Sequence, residues 1–169
     1  IQGSTNAPGT VFSGSGIRFE NAKGIVLQNI QFQSPSASGT VVDSSENITW
    51  EHVDIWNGMG NGVNIQSSSN IFLRNFSVAL SATNGVVSMA SFNTRLQFGT
   101  IWSNGSAQVV IRNQLASGYN PAYELASVSV SNCVMGAFGI RVPVYEIRGT
   151  LYANYNNIYL SDGALSALS

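Results

Sequence analysis

The feature that most constrains this chain is an internal repeat of 23 residues. A glycine followed by a β-branched residue recurs at this spacing, from Gly16-Ile17 through Gly39-Thr40 and Gly62-Val63 to Gly85-Val86. Within each period three short runs alternate apolar with polar residues, and the junctions between them are rich in Asn, Ser and Gly. The spacing predicts stacked coils of strands, since a sandwich of hairpins would not give equal intervals in several columns.

Three short strands per period predict an all-β fold, a single-stranded parallel β-helix of about six coils. A leucine-rich repeat has a similar period, but its L-x-x-L-x-L pattern and helical side are absent. We expect one domain over residues 1–169, with an inserted loop of about eleven residues between residues 112 and 127. The pattern resumes at residues 139–142, its register is not fixed after residue 144, and Gly163 is a candidate start of another coil. We expect a fragment of a longer β-helix, or partners that cover its ends.

The composition excludes several classes of function. Charged residues make up 9% of the chain and the formal net charge is −1, so no basic stripe for nucleic acid is present. No apolar run reaches the length of a membrane span, which predicts no membrane insertion. One cysteine, Cys133, and one histidine, His52, cannot supply a Cys/His zinc site, and we expect neither a metal nor a cofactor.

Some unusual residues have structural interpretations. Trp50 and Cys133 fall in apolar columns, so both side chains are predicted to lie in the core. Asn29, His52 and Asn75 share one position at a bend between two strands. A ladder of side-chain hydrogen bonds from coil to coil is the expected role of these three residues.

The candidate catalytic residues lie on the first strand of each coil. Alternation predicts an outward column four residues after the repeat glycine, comprising Glu20, Asp43, Gln66, Met89 and Arg112. Glu20 and Asp43 would stand one strand spacing apart, which fits the separation of about 5–5.5 Å in a retaining glycosidase. The alternative is that they are solvated surface acids. Gln66 is assigned to substrate binding.

A second acidic pair, Glu51 and Asp54, flanks the bend at His52. Glu51 shares its outward column with Arg74, one coil further along. A surface ion pair between Glu51 and Arg74 is the simpler interpretation of this column, and a catalytic role is the alternative.

Aromatic residues supply the candidate sugar contacts. Trp56 and Trp102 share a column two coils apart, where they could stack on sugar rings, pack beneath a turn or be buried between subunits. The insertion carries Tyr119, Tyr123 and Glu124. These three could wall one side of a groove over Glu20 and Asp43, with the tryptophans on the other side. A tolerated surface insertion is the alternative.

Residues 16–32 and 61–75 resemble coils of the pectin-lyase-like superfamily of right-handed parallel β-helices, particularly phage tailspikes and pectate lyase 3 type domains. The polygalacturonase signatures Asn-Thr-Asp, Gly-Asp-Asp and Gly-His-Gly are absent, so the resemblance transfers no catalytic residue. It implies a virion protein, a homotrimer with further coils or domains of the same chain. Such a tailspike recognises, and can depolymerise, host surface polysaccharide.

Two alternatives remain open at this point. One is a structural or adhesin segment without activity, whose coils only space other domains. The other is a secreted, extracellular polysaccharide lyase or epimerase of the same fold. A lyase needs a cation or basic residue beside its base to stabilise an enolate, and Arg18, Arg112 and Arg141 are the residues available for that role.

Overall fold

The computed structural model describes residues 10–112, 114–115, 118–119, 127–137, 144–147 and 150–160. Over these residues the chain is an all-β parallel solenoid, and the described part contains no helix. Apart from one short hairpin in the insertion, the described strands pair in parallel with the equivalent strand of the next coil, as Thr40 does with Val63. The predicted fold class and repeat length are therefore confirmed.

The first face is a six-stranded parallel sheet with one strand per coil, and its strands are stacked in chain order. Its strands are β2 (Ile17–Glu20), β4 (Thr40–Asp43), β6 (Val63–Gln66), β9 (Val86–Met89), β12 (Val109–Arg112) and β17 (Val144–Ile147). The six successive strands of this face span about five turns of the solenoid in the described residues. The repeat glycine immediately precedes each of the first four strands.

The second and third faces form one eleven-stranded sheet, because β3 (Val26–Gln33) and β5 (Glu46–Trp56) continue through the bend between them. The other second-face strands are β7 (Ser69–Arg74), β10 (Phe92–Gln97), β15 (Ser127–Ser131) and β18 (Thr150–Asn154). The other third-face strands are β1 (Thr10–Ser13), β8 (Ser77–Ala79), β11 (Thr100–Trp102), β16 (Val134–Ala137) and β19 (Asn157–Leu160). A coil thus passes the three faces in order.

Residues with positive φ form the corners of the coils. They fall into columns with the 23-residue spacing: Asn21, Ser44, Ser67 and Ala90; Gly24, Asn47, Asn70 and Asn93; Asn29, His52, Asn75 and Phe98; Ser34, Asn57, Leu80 and Ser103. Asparagine tolerates this left-handed conformation better than most residues. The abundance of Asn at the junctions is therefore explained by the backbone that the corners require.

The predicted side-chain ladder is present, but at a different corner. The Nδ2 amide of Asn70 donates to Oδ1 of Asn47 at 3.1 Å, and Nδ2 of Asn93 donates to Oδ1 of Asn70 at 2.6 Å. The prediction for Asn29, His52 and Asn75 was wrong: these described side chains make no hydrogen bonds to one another. His52 stands between the two asparagines, so no two amide side chains of this column are on adjacent coils.

Buried serines satisfy the backbone at the corner between the first and second faces. Oγ of Ser68 accepts a hydrogen bond from the backbone N–H of Ser45 at 3.0 Å and donates to the carbonyl of Gln66 at 2.6 Å. Ser91 repeats this arrangement one coil further along. Each hydroxyl therefore satisfies two buried backbone groups that would otherwise lack a partner.

Stacked apolar side chains fill the interior. Trp50 and Cys133 are both 1% exposed, which confirms their predicted core positions. The largest of the other fully buried side chains include Phe32, Leu27, Ile48, Ile55, Ile65, Ile71, Leu73, Leu96, Ile101, Ile111 and Met135. The core continues from coil to coil without a break between layers.

The strand register locates the insertion. Thr94 of β10 pairs with Val128 of β15, 34 residues later instead of 23, so eleven residues are added in this coil. Part of the insertion is a short antiparallel hairpin of β13 (Gln114–Leu115) and β14 (Gly118–Tyr119). The sixth first-face strand pairs Val109 with Val144. Residues 139–142 and Gly163 lie outside the described residues.

Close packing explains the repeat glycine. A Cβ at position 62 would lie 2.8 Å from the carbonyl oxygen of Gly85 and would collide with the Val78 side chain. We expect Gly62→Ala to lower the free energy of unfolding by about 1–3 kcal/mol, as overpacking of a filled core does. Urea denaturation monitored by circular dichroism measures this change.

The matched control is Gly24→Asn. Gly24 has φ of +69°, a Cβ added there would meet no atom within 4 Å, and Asn already occupies this corner in the next three coils. The control should change the unfolding free energy by less than about 0.5 kcal/mol. Equal stability of both variants would contradict the packing explanation.

Candidate functional site

In-register pairing on the first face places Glu20, Asp43, Gln66, Met89 and Arg112 side by side on successive coils. The predicted outward column is therefore present in the structure. Neighbouring members are separated by one strand spacing, about 4.8 Å along the solenoid axis. The catalytic prediction depends on Glu20 and Asp43, the two acids in the first two coils of this column.

Arg18 joins the two acids. Its Nη2 lies 2.9 Å from Oδ2 of Asp43, and its Nε lies 3.2 Å from Oε2 of Glu20. The Asp43 side chain is 16% exposed and that of Glu20 is 58% exposed. A cation between two neighbouring carboxylates offsets their mutual repulsion. The site can therefore present fixed acceptors and a donor to sugar hydroxyl groups.

In its fourth and fifth strands, the outward side of the first face carries buried apolar residues. Val87 and Val110 point outward by alternation, yet they are 4% and 1% exposed and cluster with Ala107. In the first-face column the polar residues Glu20, Asp43 and Gln66 are thus followed by Met89, which packs against this apolar cluster. Alternation along a strand places both valines on the outward side, so the sequence pattern does not account for their burial.

The tryptophan column lies on the third face. Strand pairing aligns Gln33, Trp56, Ala79, Trp102 and Gly136, which confirms the predicted alignment of the first four. Trp56 is 44% exposed and Trp102 is partly exposed. Two coils separate the indoles, a distance of about 9–10 Å along the axis.

A small residue follows each tryptophan in this column. The Trp102 ring lies so close to Gly136 that any side chain there would collide with it. Ala79, which follows Trp56, is 8% exposed although it points outward. A small residue in the next coil thus leaves space for the tryptophan ring. The Trp102 ring lies over Gly136 against the sheet, and the indole stays partly exposed.

The predicted groove is only partly assembled in the described residues. Glu20 and Asp43 belong to the six-stranded first-face sheet, whereas Trp56 and Trp102 belong to the eleven-stranded sheet. Tyr119 is at the end of the hairpin strand β14. Tyr123 and Glu124 lie outside the described residues. The acid pair and the tryptophans are therefore two separate surfaces, and the roles of all these residues remain predictions.

The two acids of the second pair, Glu51 and Asp54, have different surroundings. Nη2 of Arg74 donates to Oε1 of Glu51 at 2.6 Å, which confirms the predicted ion pair, and Nε2 of Gln28 adds a longer hydrogen bond. The Arg74 hydrogen bond lowers the pKa of Glu51. Burial raises the pKa of Asp54, and the charge of His52 partly offsets this rise. The surroundings thus shift the pKa values of the two acids in opposite directions, and Asp54 lies two residues before Trp56.

Sequence reasoning missed a surface on the second face. Pairing places Thr49, Phe72, Arg95, Ser129 and Tyr152 in one outward column. An open cleft of about 250 Å³ lies beside Phe72 and Arg95, and a second of about 580 Å³ lies beside Ser129 and Tyr152. The repeat spacing contained this signal, because the column can be counted from Val26 in steps of one coil.

The described residues contain no group of three His, Cys, Asp or Glu side chains arranged to hold a metal ion. The same residues contain no helix that is long and apolar enough to cross a membrane.

The Glu51–Arg74 pair gives a prediction on pH dependence. The Glu51 pKa is lower in the folded state than in the unfolded state, so the ion pair stabilises the fold at pH values above the unfolded-state pKa. This contribution is lost as the pH falls through the folded-state pKa. Arg74→Gln should raise the Glu51 pKa towards its ordinary value in an NMR titration of the side-chain carboxyl. The stability difference from the original protein should be small at neutral pH and disappear in acid, because the pair is exposed.

Lys23→Gln is the control for this titration. Lys23 pairs with Glu46 at 3.0 Å and makes no contact with Glu51. Its replacement should leave the Glu51 pKa unchanged and raise that of Glu46, whose pKa the Lys23 hydrogen bond lowers. An unchanged Glu51 pKa in Arg74→Gln would contradict the assignment.

Comparisons with solved structures identify neighbours with the same fold. A double mutant of the periplasmic alginate epimerase AlgG matches with a TM-score of 0.72 at 16% identity, over 89% of this chain and 38% of that one. AlgG itself matches with a TM-score of 0.63 at 15% identity, over 88% and 39%. The A-module of the Azotobacter vinelandii mannuronan C-5 epimerase AlgE6 gives 0.56 at 13% identity, over 89% and 56%.

The chain thus spans less than two thirds of each of these neighbours. No curated protein sequence matches it significantly. A family profile described as "Right handed beta helix region" matches residues 15–164, nearly the whole solenoid. Since strand order, register and this profile agree, the chain belongs to the right-handed β-helix family.

Proposed function

We propose that this chain is the polysaccharide-recognising part of a longer right-handed β-helix protein that acts outside the cytoplasm. The observation that carries the proposal is the third-face column, in which Trp56 and Trp102 stand two coils apart and are each followed by a small residue. An indole face is apolar and suits the C–H face of a pyranose ring.

The geometry favours an extended ligand. Two indoles about 9–10 Å apart on one sheet can engage two sugars of one chain together, which increases affinity. Asp54 is the one charged residue in the described third-face strand segments, and no cation stands there for an anionic ligand. A globular protein partner would need a broad apolar area, which a single column of alternating large and small residues does not offer.

The solved neighbours support the class of ligand. All three are named as alginate or mannuronan epimerases, enzymes whose names specify a polysaccharide substrate. Both AlgG structures are also named as periplasmic, which supports a location outside the cytoplasm. Identity of 16% or less transfers the fold and no residue role, so the binding residues are argued from this chain alone.

The more specific form of the proposal is a phage tailspike that binds host surface polysaccharide as a homotrimer on the virion. Its support is the sequence resemblance and the low-charge, Asn-rich corners. Light scattering of the intact protein tests this form: a trimer is expected, and a monodisperse monomer would contradict the tailspike while leaving polysaccharide recognition in place.

The main proposal is tested by Trp56→Ala and Trp102→Ala. We expect each variant to weaken binding of a polysaccharide identified on a glycan array by about tenfold or more, as loss of a central aromatic contact does. Isothermal titration calorimetry with size-defined oligosaccharides measures the change. Both variants should retain the original thermal unfolding midpoint within a few degrees.

Phe98→Asn is the matched control. Phe98 is an exposed aromatic residue on another column, and Asn occupies its left-handed corner in neighbouring coils. Its replacement should leave affinity unchanged. An equal loss in the control, or full binding without both tryptophans, would eliminate the third-face column as the sugar contact.

A second candidate function is cleavage or epimerisation at the first face. The adjacent, register-matched carboxylates of Glu20 and Asp43 favour it, with Arg18 held between them. Two acids at this separation suit the nucleophile and the acid/base of a retaining hydrolase. In a lyase or epimerase, Arg18 would have to release Asp43 to neutralise a uronate carboxylate.

Asp43→Asn tests this activity. We expect it to lower kcat by at least about 100-fold, as loss of an acid/base residue does, while affinity changes little. Reducing-end release, unsaturated-uronate absorbance and exchange of the sugar proton in heavy water distinguish hydrolase, lyase and epimerase. Glu46→Gln, which removes an exposed acid elsewhere, is the control. Full activity of Asp43→Asn would exclude this pair.

A further inference from the structure

The second face carries a cation that differs from the ion-paired ones. Arg18, Lys23 and Arg74 each pair with a carboxylate. Arg95 instead donates its Nε to Oδ1 of Asn93 at 3.0 Å, and in the described part of the chain no carboxylate pairs with it. An exposed guanidinium held at Nε by a neutral amide retains its charge and the donors of its two terminal nitrogens.

Neighbouring residues fix the position of this arginine. Asn93 itself donates Nδ2 to Oδ1 of Asn70 at 2.6 Å, so Arg95 is held by the last residue of the asparagine ladder, whose amides all point the same way. The Asn93 amide thus donates to Asn70 and accepts from Arg95, and these two hydrogen bonds restrain the position of Nε before any ligand binds.

An aromatic ring lies beside the cation. Phe72 pairs directly with Arg95 across the strands, so the two outward side chains are one strand spacing apart. Asn70, Asn93, Phe72 and Arg95 line the open cleft of about 250 Å³ on this face. Further along the same column, Ser129 and Tyr152 line the second cleft. The face thus offers an apolar ring surface, a cation, amides and hydroxyls in succession.

We infer that this cleft binds a carboxylate-bearing sugar of an acidic polysaccharide. A pyranose stacked on Phe72 brings a carboxylate on that ring within reach of Arg95, one coil away. The planar guanidinium matches a carboxylate in a bidentate geometry, which an ammonium group cannot do. A single cation without an acidic partner suits one negative charge per sugar and does not suit a densely charged sulfated polymer.

This inference rests on the proposed function only in the class of ligand, a polysaccharide. Its site is on a different face from Trp56 and Trp102 and from the acid pair, and it requires no catalysis. It adds a charge requirement that the third-face column does not have. The two proposals can therefore fail separately.

The experiment compares the binding of acidic oligosaccharides with that of the same oligosaccharides after their carboxyl groups have been reduced. Hexamers of galacturonate, glucuronate, mannuronate and guluronate are titrated into the protein by calorimetry, beside the same hexamers with each carboxyl reduced to a hydroxymethyl group. We expect at least one acidic hexamer to bind about tenfold more tightly than its reduced form, the fold-change typical of a charge-assisted hydrogen bond. The preference should decrease with added salt.

Arg95→Gln should abolish this preference, lowering affinity for the acidic hexamer by about tenfold and leaving the reduced hexamer unaffected. Phe72→Leu should weaken both forms, because it removes the ring surface and keeps the charge. Lys23→Gln removes one positive charge at a distant, exposed ion pair, and it should change each affinity by less than about twofold. Thermal unfolding confirms that the variants fold.

Three outcomes would overturn the inference: no acidic hexamer preferred by the original protein, an undiminished preference in Arg95→Gln, or an equal effect of Lys23→Gln. If Arg95→Gln acts as expected while the tryptophan variants bind normally, the third-face proposal fails and this site stands. If the tryptophan variants lose binding but Arg95→Gln does not lose acid preference, only this inference fails.

Discussion

Parallel backbone hydrogen bonding between successive coils is the interaction on which this structure depends. Each coil contacts only its two neighbours, so stability comes from repeating one favourable interface. In-register pairing forces every twenty-third residue to share a backbone conformation, as the left-handed corners at Ser44, Ser67 and Ala90 show. The same requirement excludes a side chain at Gly39 and Gly62, where the next coil approaches closely. Composition at the corners is thus a consequence of pairing.

Stacking also governs charge. A charged residue in one coil stands one strand spacing from its equivalents, so a repeated charge would repel itself along the whole column. The structure instead alternates: Glu51 stands beside Arg74, and the Glu20–Asp43 step is the exception that needs Arg18. Neutral amides and hydroxyls can repeat without this cost, since each is both donor and acceptor. The asparagine ladder and the buried serines use this property.

The three faces share one scaffold but present different chemistry. The first face carries the acid pair and, below it, a buried apolar cluster around Val110. The second carries an amide-held cation beside an aromatic ring, and the third carries the tryptophans, each followed by a small residue. The faces therefore differ in side-chain chemistry although the same backbone pairing builds all three.

The sequence alone determined the fold class, the period, the eleven-residue insertion, the core positions of Trp50 and Cys133, and the columns of Glu20, Trp56 and Glu51. All of these follow from local alternation and equal spacing, which a linear sequence records directly. Only the tertiary structure decided which corner forms the ladder, that Arg18 joins two acids, that Val110 is covered, and that the acid pair and the tryptophans lie on different sheets. These depend on side-chain direction, on packing between coils and on how far each face turns from the next, and spacing along the chain does not encode those quantities.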